Sequence, residues 1–313
     1  MALSCLSYVN RQSGEAATLL MQHRDSLVNL CLQRLRLNLN RSYQSFVDFK
    51  LHVQESRVQL KEFFFSLMRC EALPDQQQGA VTALLGLLLG CLQRGDAELR
   101  ELALYIFAEM SAEVQFLKEP LDEKMTVLIV SEVRPLLRDD QHLLVRMRAC
   151  QLLASYNYLD LPEEHLVELA TSVYTCLLVG PGEKQAFLKI HACNAFNSLL
   201  KYPSIVEFVK PHLQDILGIY TSLLEADVSI IKNFEDLLNL LEEEIAPFAN
   251  QLVALLVSLF HNYAARSEGQ PPQQAEQEEE EDEDEEDACE EDDSNNESIA
   301  KACISSIRQI LQT

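Results

Sequence analysis

The sequence is poor in the residues that punctuate β-structure. Nine glycines and ten prolines in 313 residues are too few for a turn-rich all-β fold and leave helix as the default. Positive charge is also scarce, with 25 Lys and Arg against 49 Asp and Glu, a net charge of −24. Duplex recognition needs a cationic face, so direct nucleic-acid binding is disfavoured and a basic protein partner fits better. Long apolar runs are missing too. The longest, 80–92, is interrupted by Thr82, Gly86 and Gly90 and falls short of the ~18 residues a membrane span needs. The start, MALSCLSYV, has no basic segment of the kind that opens a signal peptide.

The nine cysteines (5, 31, 70, 91, 150, 176, 193, 289, 303) contain no CxxC pair and no regular spacing. That pattern reads as reduced thiols in a cytosolic or nuclear protein, with Cys150 and Cys193 acting as small hydrophobes on apolar helix faces. Catalytic motifs are absent: no GxGxxG, Walker loop, HExxH or GxSxG occurs. His23-Arg24-Asp25 imitates a kinase catalytic loop, but Leu30 stands where its Asn belongs. The seven histidines form no ligand pair, and the acids lack EF-hand glycine and spacing. Neither an enzyme nor a cofactor is expected.

What is present is helical periodicity. It predicts helices over 75–94, 96–117, 121–138, 141–157, 162–179, 183–201, 204–224, 227–244 and 246–265, after two longer stretches near 15–38 and 42–70. The breaks carry suitable chemistry: Gly95-Asp96, Pro162 before Glu163-Glu164, Gly180-Pro181-Gly182, and Pro203-Ser204. Every other helix begins near 96, 141, 183 and 227, at spacings of 45, 42 and 44. The local text recurs as well: Leu99-Arg100-Glu101-Leu102-Ala103, Val145-Arg146-Met147-Arg148-Ala149-Cys150, and Leu188-Lys189-Ile190-His191-Ala192-Cys193. Each has an aliphatic residue, a basic residue, two further positions and then Ala.

Period and text together are those of HEAT repeats, helical hairpins of ~40–47 residues. One hairpin cannot bury its own apolar face, so hairpins stack. An upstream Asp, at Asp96 and Asp140, is expected to cap the turn. The Ala should permit close helix approach, and the basic residue should reach a neighbouring repeat. The fold class is therefore all-α: an α-solenoid of HEAT/armadillo-like hairpins with a disordered acidic insertion. The expected division is a helical hairpin region at 1–74, repeats over 75–265, an acidic loop over 266–297, and a terminal helix, 298–313, completing the last repeat. No polar capping repeat is evident at either end, so the chain reads as part of a longer array or as one that pairs.

The acidic loop concentrates the charge. Segment 267–297 holds 17 acids and no Lys or Arg, whereas the rest of the chain carries 25 bases against 32 acids. Like charges repel and nothing apolar is available to bury, which predicts disorder. Fifteen carboxylates fall between positions 276 and 293: Glu276, Glu278, Glu279, Glu280, Glu281, Asp282, Glu283, Asp284, Glu285, Glu286, Asp287, Glu290, Glu291, Asp292 and Asp293. These are the candidate cargo-binding residues, because a tethered polyanion captures basic proteins and steers them from a distance. A solvated linker is the bland alternative. Ser294, with Glu297 three places on, resembles an acidophilic-kinase site. Glu235-Asp236 and Glu242-Glu243-Glu244 are expected to extend the acidic surface.

Several of these segments resemble one family in order and spacing. They are Leu99–Leu104 with Ala108-Glu109-Met110, Val145–Cys150 with Leu152-Leu153, and His191-Ala192 through Leu199-Leu200. Val209-Lys210-Pro211 with Leu217, and Glu243-Glu244-Ile245-Ala246-Pro247, follow. Residues 97–313 resemble the middle of importin-β superfamily receptors, the importin-seven and importin-eight class, which also carry an acidic insertion after the segment matching 246–265. The resemblance implies nuclear import of basic cargo such as ribosomal proteins and histones, nucleoporin and Ran-GTP as partners, and shuttling between cytoplasm and nucleus. Ran-GTP binding in that family centres on earlier repeats, so it does not carry over to these residues. Two other classes compete: a HEAT-repeat scaffold such as a phosphatase adaptor, and an acidic histone-chaperone-like protein. Nucleoporin binding separates a receptor from the first, and Ran-GTP binding from the second.

Overall fold

The computed structural model describes residues 23–36, 57, 85–113, 118–139, 141–224, 228–267, 301, 303–308 and 310. The fold is all-α and solenoid-like, with no strand among the described residues. The chain divides into two compact units, Met1–Ala195 and Phe196–Thr313.

In the first unit, helix α1 (Arg24–Leu35) precedes α2 (85–94) and α3 (Ala97–Glu113). The α2–α3 turn is built as its residues require. The Gly95 amide donates to the Cys91 carbonyl at 3.0 Å. A Cβ on Gly95 would lie 2.3 Å from that oxygen and 2.8 Å from Leu99 Cβ, so only glycine fits. Asp96 then accepts from the Leu99 amide at 2.9 Å, the N-cap bond expected of it. The Leu99 amide, and after it the Arg36 guanidinium, hold the Asp96 carboxyl below its usual range. Asp140, the second expected cap, lies outside the described residues.

The next hairpin pairs α4 (Lys118–Leu128) with α6 (Leu143–Ser155). The periodicity predicts one helix over 121–138. The structure instead inserts a π-helical turn, Ile129–Val133, before the short α5 (Arg134–Leu136). Pro135 has no amide to give the Ser131 carbonyl, so the regular ladder cannot pass that point. Proline acts similarly twice in the second unit. The predicted helix 204–224 becomes α9 (Pro203–Val209), a 3₁₀ turn holding Pro211, and α10 (Leu213–Leu223). After α11 (Val228–Ile245), the 3₁₀ turn Ala246–Phe248 holds Pro247 and leads into α12 (Ala249–Ser267). Between these stretches, α7 (Glu163–Leu177) and α8 (Glu183–Leu199) form the third hairpin, with the unit boundary inside α8. Gly182 opens α8 at φ +139, a conformation other residues rarely adopt.

Within the first unit, like helices stack on like. Among second helices, α3 packs against α6, and the Tyr156 hydroxyl donates to the Phe107 carbonyl at 3.0 Å. Among first helices, Arg134 pairs with Glu168, and Arg138 Nε donates to Ser172 Oγ at 2.9 Å. The recurrent alanines Ala103, Ala149 and Ala192 are wholly buried, as close helix approach demands. In the second unit, Asn197 donates to Asp236 on α11 at 3.1 Å. Near the end of the chain Ser305 donates to Glu235 on α11, and Cys303 and Ser306 are buried.

Candidate functional site

The fifteen carboxylates from Glu276 to Asp293 lie outside the described residues, and the disorder expected of that segment lies outside them too. So do Ser294 and the side chains of Glu242, Glu243 and Glu244. The structure does describe both flanks of the acidic segment. It leaves from the end of α12 at Ser267, and helix is present again at 301. Three contacts between helices differ in their spacing along the chain. Glu101 and Arg148 are 47 residues apart and Asn197 and Asp236 are 39, whereas Glu235 and Ser305 are 70. The extra length falls in the segment that carries the acids. Beside that last contact, burial and the neighbouring Glu235 charge push the Asp236 carboxyl above its usual range, against the pull of Lys232. Glu235 and Asp236 thus stand side by side on α11, within the field of Lys232.

The basic residue of the recurring text serves its own hairpin at Arg100, and both its own and the next at Arg146, whose Nη2 also donates to Cys176 Sγ on α7 at 3.5 Å. Arg100 Nε donates to the Leu92 carbonyl at 3.2 Å, and Arg146 Nε to the Leu137 carbonyl at 2.9 Å. Both oxygens sit where the first helix ends, among carbonyls that lack an intrahelical partner. A guanidinium on the second helix satisfies one of them. A second side chain that crosses between repeats stands two places later. Arg148 Nε donates to Glu101 at 2.8 Å.

Glu101 anchors a buried charge cluster that sequence reasoning missed. Arg57 binds both of its carboxylate oxygens, at 3.0 and 2.7 Å, and gives its Nε to the Leu35 carbonyl at 2.8 Å. The Arg57 and Glu101 side chains are 0% exposed and that of Arg148 is 4% exposed. Both guanidinium carbons lie near the Tyr105 ring, 4.5 and 5.0 Å from its centroid. Burial opposes ionisation of Glu101, but the two guanidiniums prevail and hold its carboxyl below the usual 4.5. The only sequence signal was an acid inside the recurring apolar text, and nothing local pointed to Arg57.

The described cysteines are not poised for chemistry. Burial pushes Cys31 and Cys303 up to about 11 and also raises Cys150, which lies among Cys176, Arg146 and Cys193. A soluble maleimide at neutral pH is expected to reach half-buried Cys91 before Cys31, Cys150, Cys176, Cys193 or Cys303, which react only when the fold opens. Peptide mapping after timed labelling checks this, and rapid native labelling of Cys150 or Cys193 would contradict it. His23-Arg24-Asp25 merely starts α1. Among the described residues no group of three His, Cys, Asp or Glu can hold a metal ion, and no helix is long and apolar enough to cross a membrane. No family model, curated protein or solved structure matches the chain.

Proposed function

We propose that this chain is a binding array of the importin type, which takes basic protein cargo on its acidic insertion and moves it between cytoplasm and nucleus. The observation that carries the reading is the charge density: fifteen carboxylates between positions 276 and 293, placed between two helices of one unit. Binding is reversible and involves no covalent step. The solenoid-like body holds the insertion, and the insertion supplies long-range attraction for clustered Lys and Arg. Cargo bound this way is shielded from nucleic acid, its competing polyanion. Ribosomal proteins and histones are the cargo class that the resemblance implies, with nucleoporins as transport partners.

The test is a titration of the full chain against a core histone and a ribosomal protein, with and without residues 267–297, at two salt concentrations. Tight, salt-sensitive binding that needs the insertion supports cargo capture. Binding indifferent to it leaves a solvated linker on a scaffold. Nucleoporin binding in a parallel pull-down supports transport, whereas histone binding alone moves the reading to a chaperone.

A further inference from the structure

A groove of about 660 Å³ opens in the first unit between α2, α3 and the α4–π segment. That size falls in the range of ~300–1,000 Å³ in which proteins seat ligands and anchoring side chains. Its floor is apolar, built from Leu85, Leu89, Phe107, Met125 and Leu128. Val127, 62% exposed, lines it. Ser131 and Glu132 reach its rim from the π-helical turn.

Two observations say what fits. The first is Gly86, which lies inside α2 and lines the groove. Glycine within a helix costs about 1 kcal/mol against alanine. Among the described residues a Cβ there would meet no atom within 4 Å, so none of them requires glycine. Gly90, one turn along the same helix, is equally open. A bare strip of helix beside leucines admits close approach by another backbone. The second is charge. Among the described residues the rim carries Glu123 and Glu132 against one Lys124, and Gln93 donates to Glu132 at 2.9 Å.

We propose that this groove docks a basic amphipathic helix of a partner protein, its apolar stripe against the floor and its Lys and Arg beside Glu123 and Glu132. The proposal depends on neither the acidic insertion nor the transport reading. A helix of four turns, with apolar residues at i, i+3, i+4 and i+7, matches such a surface.

The experiment uses a fluorescent peptide of roughly 16 residues, about four turns, with a leucine stripe among lysines and arginines. A scrambled peptide of the same composition is the control. Fluorescence anisotropy is read on the full chain, on a chain with the 276–293 carboxylates neutralised, and on groove variants of the latter. The neutralised chain is expected to bind the striped peptide and not the scrambled one. Gly86→Phe fills the groove and should weaken binding at least about tenfold, a change of 1.4 kcal/mol. Val127→Asp sits at an exposed position, cannot disturb the core, and should do the same. Glu123→Lys with Glu132→Lys should weaken binding and flatten its salt dependence. Circular dichroism confirms that each variant stays folded. Equal affinity for both peptides, or folded groove variants that bind unchanged, overturns the proposal. So does a sedimentation shift caused by Gly86→Phe without an effect on the peptide, because the occupant would then be a second copy of this chain.

Discussion

Replacing the fifteen carboxylates between Glu276 and Asp293 with Gln and Ser should lower the rate of association with a core histone by about 10- to 1,000-fold at low salt. The expectation follows from density. Fifteen negative charges so closely spaced along the chain create a field that reaches well beyond contact, and a basic partner is drawn along it. The Debye length is about 10 Å at 0.1 M salt and about 3 Å at 1 M, so the difference between wild type and variant should shrink as salt rises. Stopped-flow association at several ionic strengths reads both quantities. Helical content should not change, because the described helices are held by an apolar core of their own. An association rate that is unaltered at low salt would sink cargo capture by the insertion and leave it a solubilising loop.

Glu101→Gln should destabilise the first unit by about 3–5 kcal/mol, the cost of removing one partner from a buried ionic cluster. The shape is kept, so the loss is electrostatic: Arg57 and Arg148 remain buried beside a neutral amide. By contrast, Glu98→Gln removes only a part-exposed pair with Arg36 and should cost less than about 1 kcal/mol. The triple replacement Arg57→Met, Glu101→Leu, Arg148→Met removes all three charges and should recover most of the stability. Urea unfolding of the four chains compares them, and a Glu101→Gln loss below about 1 kcal/mol would contradict the account. The same cluster sets a pH dependence. The Glu101 carboxyl is held below its unfolded value of 4.5, so its contribution is fully present above that pH. It is lost as acid protonates the folded carboxylate, at lower pH still. The stability gap between wild type and Glu101→Gln should therefore narrow as pH falls through that range, and urea unfolding repeated in acid reads it.

The helices themselves were legible because their information is local. An apolar stripe every three or four residues, a Gly-Asp pair and a Gly-Pro-Gly break act within a few residues. The segments predicted between 96 and 265 accordingly correspond to observed helices or helix–turn–helix runs. The interruptions at Pro135 and Pro211 were written in the sequence too, but periodicity averages over them and reads through, whereas the break near Pro247 was legible as the boundary between 227–244 and 246–265. The recurring text located Ala103, Ala149 and Ala192 in the core, because a small residue at one register implies a close neighbour. The reach of its basic residue was half legible. Arg146 does touch the next repeat, at Cys176, but the bonds of Arg100 and Arg146 to the Leu92 and Leu137 carbonyls depend on where those oxygens lie in space.

The sequence by itself determined the all-α class, the hairpin period and the place of the acidic segment, since each rests on composition or spacing along the chain. The tertiary structure alone decided which charges are buried together and where an apolar surface is left open. Arg57 and Glu101 are 44 residues apart, and Leu85 and Leu128 come from different hairpins. Stacking brings such residues together, and stacking is a relation between helices that no local pattern encodes.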